Sequence, residues 1–418
     1  MENNRNLLLV ESEMVKAKGH FLDYLIETSN YFKINKKITW FLNRNFDSQN
    51  LYLPDFCDIR KIIISNKFKR KRNKFLYLIE EIFFFILNFY HILFFSFYFV
   101  NQINKLFLFY KCLFGNYFIV PRYFKSFYLN YVKLNFNQND DIFFQSCRRK
   151  DVALVYFLST IEKNNLPKIH LRVFLPPNKR FKDFYFYLKK FKNNMQQKIF
   201  LYTEDGYKKG LMSKELGDPN LVNITTPIFN FYNRSMTTKK HVIGFIGEAR
   251  ANKGFNKIPK LIEILNKQNK KFEFLIQFAG TDNETKSTSK ILFDLSKKNA
   301  NIKIINKYCD YQEYRSILKN ITIMPFMYDS EHMNNTNSGI IYSCISNEII
   351  PIIPNNCDYL KKILTDNSFL ESPSLESFAK NIIEIIENYE KFLTNAKKSS
   401  LKLTNIIDNG SIVFNINN

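Results

Sequence analysis

Two series of short apolar segments, each followed by a stretch with helical spacing, run along the chain. The first series predicts strands at 6–12, 38–44, 141–146, 168–175 and 198–205. The second predicts strands at 241–248, 272–280, 301–307, 321–326 and 349–354. Regular alternation of strands and helices favours parallel sheets covered by helices on both faces. We therefore predict an α/β protein with two Rossmann-like, doubly wound domains.

A polar, basic and patternless stretch at 229–240 separates the two series and predicts an interdomain linker. We expect an N-terminal domain at 1–230 and a C-terminal domain at 241–373. The tail, 374–418, begins with an amphipathic pattern at 374–398 that predicts one long helix packing at the domain junction. Ligands of such sheets bind beyond the carboxyl ends of the strands, so we expect two domains facing a cleft.

An aromatic-rich helical insertion, at about 45–140, interrupts the first series, with hydrophobic and basic helices predicted at 66–118. Six basic residues lie between Lys67 and Lys74, directly before the apolar run 82–100. The hydropathy of this run suits a membrane, but strands of one sheet lie on both sides of it in the sequence. Three interpretations stay open: a helix at an anionic membrane surface, an insertion packed on the first domain, and a true span.

The charge and the cysteines narrow the class of protein further. The 418 residues carry a net charge of +23, which favours an anionic partner such as a membrane surface or nucleic acid. The lysines are scattered and no nucleic-acid-binding motif is present, so we expect no nucleic-acid partner. Six cysteines form neither a CxxC pair nor a metal-ligand spacing, which indicates a reducing compartment. The N-terminal apolar run is too short for a secretory signal, so we expect a cytoplasmic protein.

The segment GFIGEARANKGF, at 244–255, reads as a buried strand that ends in a glycine turn with two cations. Gly247 would let the backbone approach a ligand closely. Arg250 offers phosphate oxygens a planar fork of donors, and Lys253 offers them a point charge. A solvated turn with surface cations is the alternative interpretation of the same residues.

A second segment indicates the same chemistry. After the strand at 321–326, a polar loop leads into a helix that we expect to open at Asn337, Ser338 and Gly339. The amides at a helix N-terminus bind phosphate groups, and a Ser-Gly pair lets one come close. Together the turn and the helix predict a diphosphate site.

These two stretches resemble the donor-binding half of the GT-B glycosyltransferases, of the retaining, metal-independent kind typified by glycosyltransferase family 4. The signature turn of that family, GxxRxxKG, is present as Gly247, Arg250, Lys253 and Gly254. The N-terminal half resembles the family at Gly19 and His20, which follow the first strand. The resemblance extends over nearly the whole chain except 45–140.

The resemblance implies transfer of a sugar from a nucleotide-sugar donor to a glycan or lipid-linked glycan, at the inner face of the cell membrane. It implies no metal and no cofactor, and a retaining reaction in preference to an inverting one. The catalytic residues it implies are Arg250, Lys253 and His20. The donor-binding residues are Gly247, Arg250, Lys253, Asn337, Ser338, Gly339, Ile340 and Cys344. The acceptor-binding residues are Gly19, His20, Arg148 and Arg149, although the two arginines also suit simple capping of a strand end.

The chain departs from the family at one place. Two acidic residues of the family, eight positions apart, fall on Thr336 and Cys344, and the second of them normally binds the donor ribose. Ile349 replaces the family's glycine before the next strand. These departures leave open an enzyme with another ribose contact, weaker donor binding, or an inactive copy that binds a glycan or a partner enzyme. A membrane-anchored interaction protein is a further alternative.

Overall fold

A computed structural model of the protein describes most of the two predicted series. The described residues are 5–12, 14, 21–48, 51–63, 120–162, 165–173, 182–190, 197–204, 206–228, 241–268, 271–281, 284–329, 338–355 and 357–417. The expected linker at 229–240 and the hydrophobic and basic helices expected at 66–118 lie outside them.

Seven parallel strands form the first sheet, counted over the described residues. They are β1 (Arg5–Glu11), β2 (Lys36–Asn43), β3 (Asp58–Ile63), β4 (Asp141–Phe144), β5 (Lys168–Arg172), β6 (Ile199–Thr203) and β7 (Val222–Ile224). Their order across the sheet is β3-β2-β1-β4-β5-β6-β7. The intervening helices are α1 (Phe21–Phe32), α2 (Val120–Val132), α3 (Arg149–Ile161), α4 (Lys182–Lys190) and α5 (Gly206–Leu216). All five strands predicted for this half are confirmed.

The core of this sheet explains why its strands are almost continuously apolar. Leu8, Phe144, Leu171 and Leu201 lie on four of the strands and are buried together with Phe127 of α2. Strands that are covered on both faces lose the alternation that a half-exposed strand would show. The sequence pattern therefore reflects the doubly wound arrangement directly.

Part of the expected insertion at about 45–140 belongs to the first sheet. Strand β3 pairs with β2 in parallel, from Thr39 opposite Asp58 onwards. Helix α2 packs against the sheet core through Phe127, whose ring lies 5.4 Å from that of Phe41. The sequence DIRKII of β3 was not predicted as a strand because its charged residues suit an edge position and hide the apolar pattern.

Six parallel strands form the second sheet in the part of the chain that the structure describes. They are β8 (Val242–Ala249), β9 (Glu273–Thr281), β10 (Ile302–Asn306), β11 (Ile323–Pro325), β12 (Ile350–Pro354) and β13 (Leu370–Ser372). Their order is β10-β9-β8-β11-β12-β13. The helices of this half are α6 (Ile258–Asn266), α7 (Lys286–Lys298), α8 (Tyr311–Lys319), α9 (Gly339–Ser346) and the short α10 (Asp358–Lys361). The five strands predicted here are confirmed, and β13 is added.

The C-terminal tail forms three helices where one long helix was predicted. They are α11 (Leu375–Glu387), α12 (Tyr389–Asp408) and α13 (Ser411–Asn417). The prediction of a single helix is wrong because Asn388 leaves the helical conformation, at φ −117° and ψ 30°. Ile382 and Ile385 of α11 and Phe392 of α12 nevertheless join one apolar core.

The chain divides into two compact units. The first comprises 1–17, 32–49 and 54–224, and the second comprises 18–31, 50–53 and 225–418. Helix α1 is thus grouped with the second unit, within which Tyr31 of α1 donates a hydrogen bond to Asp408. Among the described residues, no helix is both long enough and apolar enough to cross a bilayer.

Candidate functional site

The carboxyl edge of the second sheet has a reversal of strand order between β8 and β11. From this pair, β9 and β10 lie on one side and β12 and β13 on the other. Ligands of doubly wound sheets bind at such a reversal, because the loops after the two strands turn away from each other there. A ligand site is therefore expected at the segments that follow β8 and β11.

The last residues of β8 and the turn that follows them, which we together call the cation turn (247–254), end at Gly254. A 3-10 turn at Ala251–Lys253 leads into Gly254, whose φ is +75°. A Cβ atom at this position would lie only 2.3 Å from the carbonyl oxygen of Met327. The cation turn thus packs directly on the loop after β11, and only a glycine fits the contact.

The two cations of the turn have different surroundings. Arg250 has an exposed side chain whose guanidinium pairs with the carboxylate of Glu248. Lys253 is half-buried, and its Nζ lies 5.9 Å from the centroid of the Tyr328 ring. Burial lowers the pKa of Lys253, and the neighbouring charge of Arg250 lowers it further, while Glu248 opposes both. A bound anion would act in the same direction as Glu248 and favour the charged form of Lys253.

Tyr328 connects the cation turn to the start of helix α9. Its hydroxyl lies 3.3 Å from the Oγ of Ser338, which is the N-cap residue of α9. Burial raises the pKa of Tyr328 to about 12, so the hydroxyl stays neutral at ordinary pH. Lys253, Tyr328 and Ser338 therefore form one continuous group of side chains. Helix α9 begins directly after Ser338, and first-turn amides have no partner within their own helix.

Gly247 lies against the same helix. Its φ is +130°, and a Cβ atom there would lie 2.9 Å from Cδ1 of Ile340 in α9. Its amide donates a hydrogen bond of 3.2 Å to Oε1 of Gln277. The close approach that this glycine permits is therefore to α9, and its amide is already bound by a side chain.

Two of the predicted donor residues, Gly247 and Lys253, lie together. One depression in the second unit is lined by residues from the cation turn, β9 and the loop after β11, among them Gly247, Glu248, Lys253, Gly254, Gln277 and Tyr328. Tyr328 and Gln277 were missed from the sequence. Their signals were a polar residue within the apolar strand FEFLIQFAG and an aromatic residue three positions after the end of β11.

Cys344 lies elsewhere. Its side chain has no exposed surface, and its Sγ donates to the carbonyl oxygen of Ile349 at 3.3 Å. Every residue of α9, including Gly339 and Ile340, is buried. The position that the family resemblance aligned with a ribose ligand thus faces the interior in this chain.

The remaining predicted residues are only partly described. Gly19, His20, Thr336 and Asn337 lie outside the described residues. Arg148 follows β4 in the first unit, where its amide donates to Oδ2 of Asp151 at 2.7 Å.

Arg149 begins helix α3, and only its main chain is described. Over the described residues, no group of three or more His, Cys, Asp or Glu side chains is arranged to hold a metal ion.

The chain is similar to solved structures over almost its entire length. The Alr3699/HepE protein of Anabaena, in complex with UDP, aligns with a TM-score of 0.54 and 10% identity, covering 99% of this chain and 97% of that one. A glycosyltransferase from Rickettsia africae gives 0.54 and 12%, covering 99% and 96%. The N-terminal domain of Candida albicans trehalose-6-phosphate phosphatase gives 0.54 and 10%, covering 99% and 95%.

No family model and no curated protein sequence matches the chain. The two parallel sheets, with seven and six strands among the described residues, together with these alignments show that the chain has the two-domain GT-B fold. The fold expected from the sequence is confirmed. Membership of glycosyltransferase family 4 stays a prediction.

Proposed function

We propose that this protein is a glycosyltransferase that transfers a sugar from a nucleotide-sugar donor. The observation that carries the proposal is the convergence of Lys253, Tyr328 and Ser338 beside the strand-order reversal of the second sheet. A cation and a helix N-terminus together favour a bound phosphate group. The UDP held by the Anabaena protein supports a nucleotide donor, and the similarity to the Rickettsia africae glycosyltransferase supports sugar transfer.

In this proposal the donor diphosphate is the group that the site binds. Arg250 and Lys253 contact its oxygens, and the first amides of α9, at Gly339 and Ile340 after Ser338, face the same charge. When the bond between the anomeric carbon and the diphosphate oxygen breaks, the leaving diphosphate gains negative charge. Cations and amides that are already in place stabilise this charge without a metal. Asn337 keeps a donor-binding role on the strength of the resemblance alone.

The ribose of the donor is not assigned to Cys344. A side chain without exposed surface, bonded to Ile349, has no polar atom to offer a ligand. We propose instead that donor affinity depends mainly on the diphosphate contacts. The Gly247 backbone supports the site by packing on Ile340 rather than by binding the donor.

The acceptor and the location are proposed from the sequence. A glycan or lipid-linked glycan would be the acceptor, bound by Gly19, His20, Arg148 and Arg149, with retention of the anomeric configuration. The basic cluster from Lys67 to Lys74 and the net charge of +23 support a cytoplasmic enzyme that lies on the inner face of the cell membrane. Neither a cofactor nor a metal forms part of the proposal.

A second candidate is a GT-B protein that binds a glycan or a partner enzyme without catalysis. Cys344, buried and non-acidic, favours it, since the acidic residue of the family is absent at a position that here serves the interior.

A panel of UDP-, GDP-, ADP- and dTDP-sugars, screened by thermal shift and then by release of nucleoside diphosphate, separates the two. A donor that stabilises the protein and is turned over supports the enzyme. Stabilisation without release on any acceptor supports the binding protein, and no stabilisation by any donor contradicts the enzyme.

A further inference from the structure

Gln277 is a buried polar residue in the middle of an otherwise apolar strand. It is 6% exposed, and its neighbours on β9 include the buried Phe274, Ile276 and Phe278. Burying an amide is unfavourable unless its groups are hydrogen-bonded. An apolar residue would serve the packing of β9 at least as well, so the reason for a glutamine must lie in what its amide binds.

The amide of Gln277 bonds to the two strands on either side of its own. Oε1 accepts the hydrogen bond from the Gly247 amide, at 3.2 Å, at the carboxyl end of β8. Nε2 donates to the carbonyl oxygen of Lys307, at 2.8 Å, directly after β10. A carboxamide can accept and donate at the same time, which an ionised carboxylate or an alkyl group cannot do. The bond to Lys307 therefore fixes which way the carbonyl group of Gln277 points.

The bond to Gly247 is made at the point where the cation turn begins. Gly247 has a backbone conformation that other residues rarely adopt, and it lies against Ile340 of the helix whose N-terminus belongs to the site. Arg250 follows three residues later and Lys253 six residues later. Because the turn is short, the orientation of the Gly247 peptide sets the direction in which both cations leave the sheet.

We propose that Gln277 is a positioning residue for the donor diphosphate, a role that rests on the function proposed above. It holds the Gly247 peptide so that Arg250 and Lys253 point at the diphosphate, and its own amide groups are engaged by Gly247 and Lys307. Loss of the amide should weaken binding of the diphosphate selectively. Binding of the nucleoside portion, which needs neither cation, should hardly change.

The test compares the affinity for UDP with the affinity for uridine, by calorimetry, in wild-type protein and two variants. Gln277→Met keeps the length of the side chain and removes both hydrogen bonds. We expect about five- to tenfold weaker UDP binding, which corresponds to the loss of about one hydrogen bond between the misplaced cation turn and the diphosphate, with uridine affinity changed less than about twofold. Leu265→Ala, in the buried core on α6, is the control for a general loss of stability and should change neither affinity.

Gln277→Glu adds a readout that a purely structural role would not affect. A protonated carboxyl group can donate to Lys307 and accept from Gly247, whereas the ionised group can only accept. As the pH is lowered from about 8 to about 5, the carboxyl group of Gln277→Glu becomes protonated, and the UDP affinity of this variant should approach that of wild type. The UDP affinity of Gln277→Met should stay below that of wild type by a constant factor.

The outcomes separate the two proposals. Wild-type protein that binds none of UDP, GDP, ADP and dTDP more tightly than the matching nucleoside would contradict the diphosphate site itself, and with it the proposed function. Wild-type protein that prefers UDP, combined with variants that lose UDP and uridine equally or lose neither, would overturn the role of Gln277 alone.

Discussion

Arg250 and Lys253 share one expected ligand but differ in how much the fold surrounds them. A charge-assisted hydrogen bond is worth about 1.5–3 kcal/mol, and a factor of ten in rate corresponds to about 1.4 kcal/mol. Arg250→Ala and Lys253→Ala should therefore each lower turnover by roughly ten- to a hundredfold. The double variant should lose less than the sum of the two free energies, because both cations serve one diphosphate.

Stability measurements make this prediction specific. Arg250 is exposed, so its removal should leave the free energy of unfolding almost unchanged, whereas Lys253→Ala should lower it slightly because its side chain packs near Tyr328. Arg250→Lys should restore activity only in part, since an ammonium lacks the planar fork. Lys260→Ala, on the exposed face of α6, is a matched control. If Arg250→Ala and Lys253→Ala are as active as wild type and Lys260→Ala, the turn is an ordinary solvated loop.

The surroundings of Lys253 also predict a dependence on pH. Its pKa lies below the usual 10.5 because burial and Arg250 disfavour the ammonium form. As pH rises, Lys253 should lose its charge earlier than an exposed lysine, and affinity for UDP should fall at alkaline pH. Lys253→Arg should bind UDP with little change over the same range, since arginine stays charged. Parallel alkaline losses in wild type and variant, measured by calorimetry, would show that another group titrates.

At the scale of single elements, the contact between the cation turn and the loop after β11 is the most restrictive feature. Gly254→Ala must place a Cβ atom against Met327 while keeping a φ of +75°. We expect a loss of about 1–3 kcal/mol of stability from the backbone alone, together with weaker binding of UDP. The control is Gly210→Ala in α5, where no atom lies within 4 Å of the new methyl group. It should be neutral or stabilising by up to about 1 kcal/mol, and urea unfolding of both variants checks the contrast.

The first sheet contains a buried network of polar side chains that should make the stability of the protein depend on pH. His170 bonds to Asp141 at 2.9 Å and to the Tyr202 hydroxyl at 3.0 Å, and Lys36 binds the other oxygen of Asp141. Burial lowers the pKa of His170 from its usual 6.5, despite the opposing effect of Asp141. Below about pH 6.5, His170 therefore binds a proton in the unfolded chain but not in the folded chain. The free energy of unfolding should then fall with falling pH.

The size of this effect is limited to one group. The slope cannot exceed about 1.4 kcal/mol per pH unit for a single histidine. In His170→Gln this contribution should disappear, so the stability of the variant should depend less on pH between about 5 and 7. The variant itself should be less stable than wild type at neutral pH, because it disrupts the buried hydrogen bonds of His170 to Asp141 and Tyr202. An unchanged slope would show that His170 does not control this titration.

The elements that the sequence predicts best are strands buried on both faces. Strands such as FEFLIQFAG were predicted to within two residues, because strands buried on both faces appear as continuous apolar runs. Strand β3 and the three-residue β7 were missed, since an edge strand with charges and a very short strand carry little pattern. The break at Asn388 was missed because the apolar spacing continues on both sides of it.

The candidate site was predictable only where chemistry and position coincide in the sequence. Arg250, Lys253 and Ser338 follow strand ends and have side chains or amides suited to phosphate, so they were named. Tyr328 and Gln277 act through contacts with residues 10 and 30 positions away, respectively. Cys344 is the opposite case. Its position in the alignment predicted a contact with the donor, whereas in the structure its Sγ donates to the carbonyl oxygen of Ile349.

At the scale of the whole molecule, the basic cluster tests the proposed location. Replacing the six basic residues with glutamine should weaken binding to vesicles that contain anionic lipid, by about 1 kcal/mol per residue at low salt, and should reduce the salt dependence. These residues lie outside the described part of the chain and are Lys67, Lys69, Arg70, Lys71, Arg72 and Lys74. Cosedimentation with anionic and with neutral vesicles measures the change. Release from membranes only by detergent would favour a spanning segment over surface binding.

The central claim is that a nucleoside diphosphate binds through the cation turn and the start of α9, and one titration tests it most directly. UDP, GDP, ADP and dTDP are each titrated into wild-type protein and into the Arg250→Ala/Lys253→Ala double variant. We predict that at least one of them binds wild type, and that the double variant binds it at least about tenfold more weakly while folding normally. Binding of equal strength to both proteins, or to neither, would contradict the account.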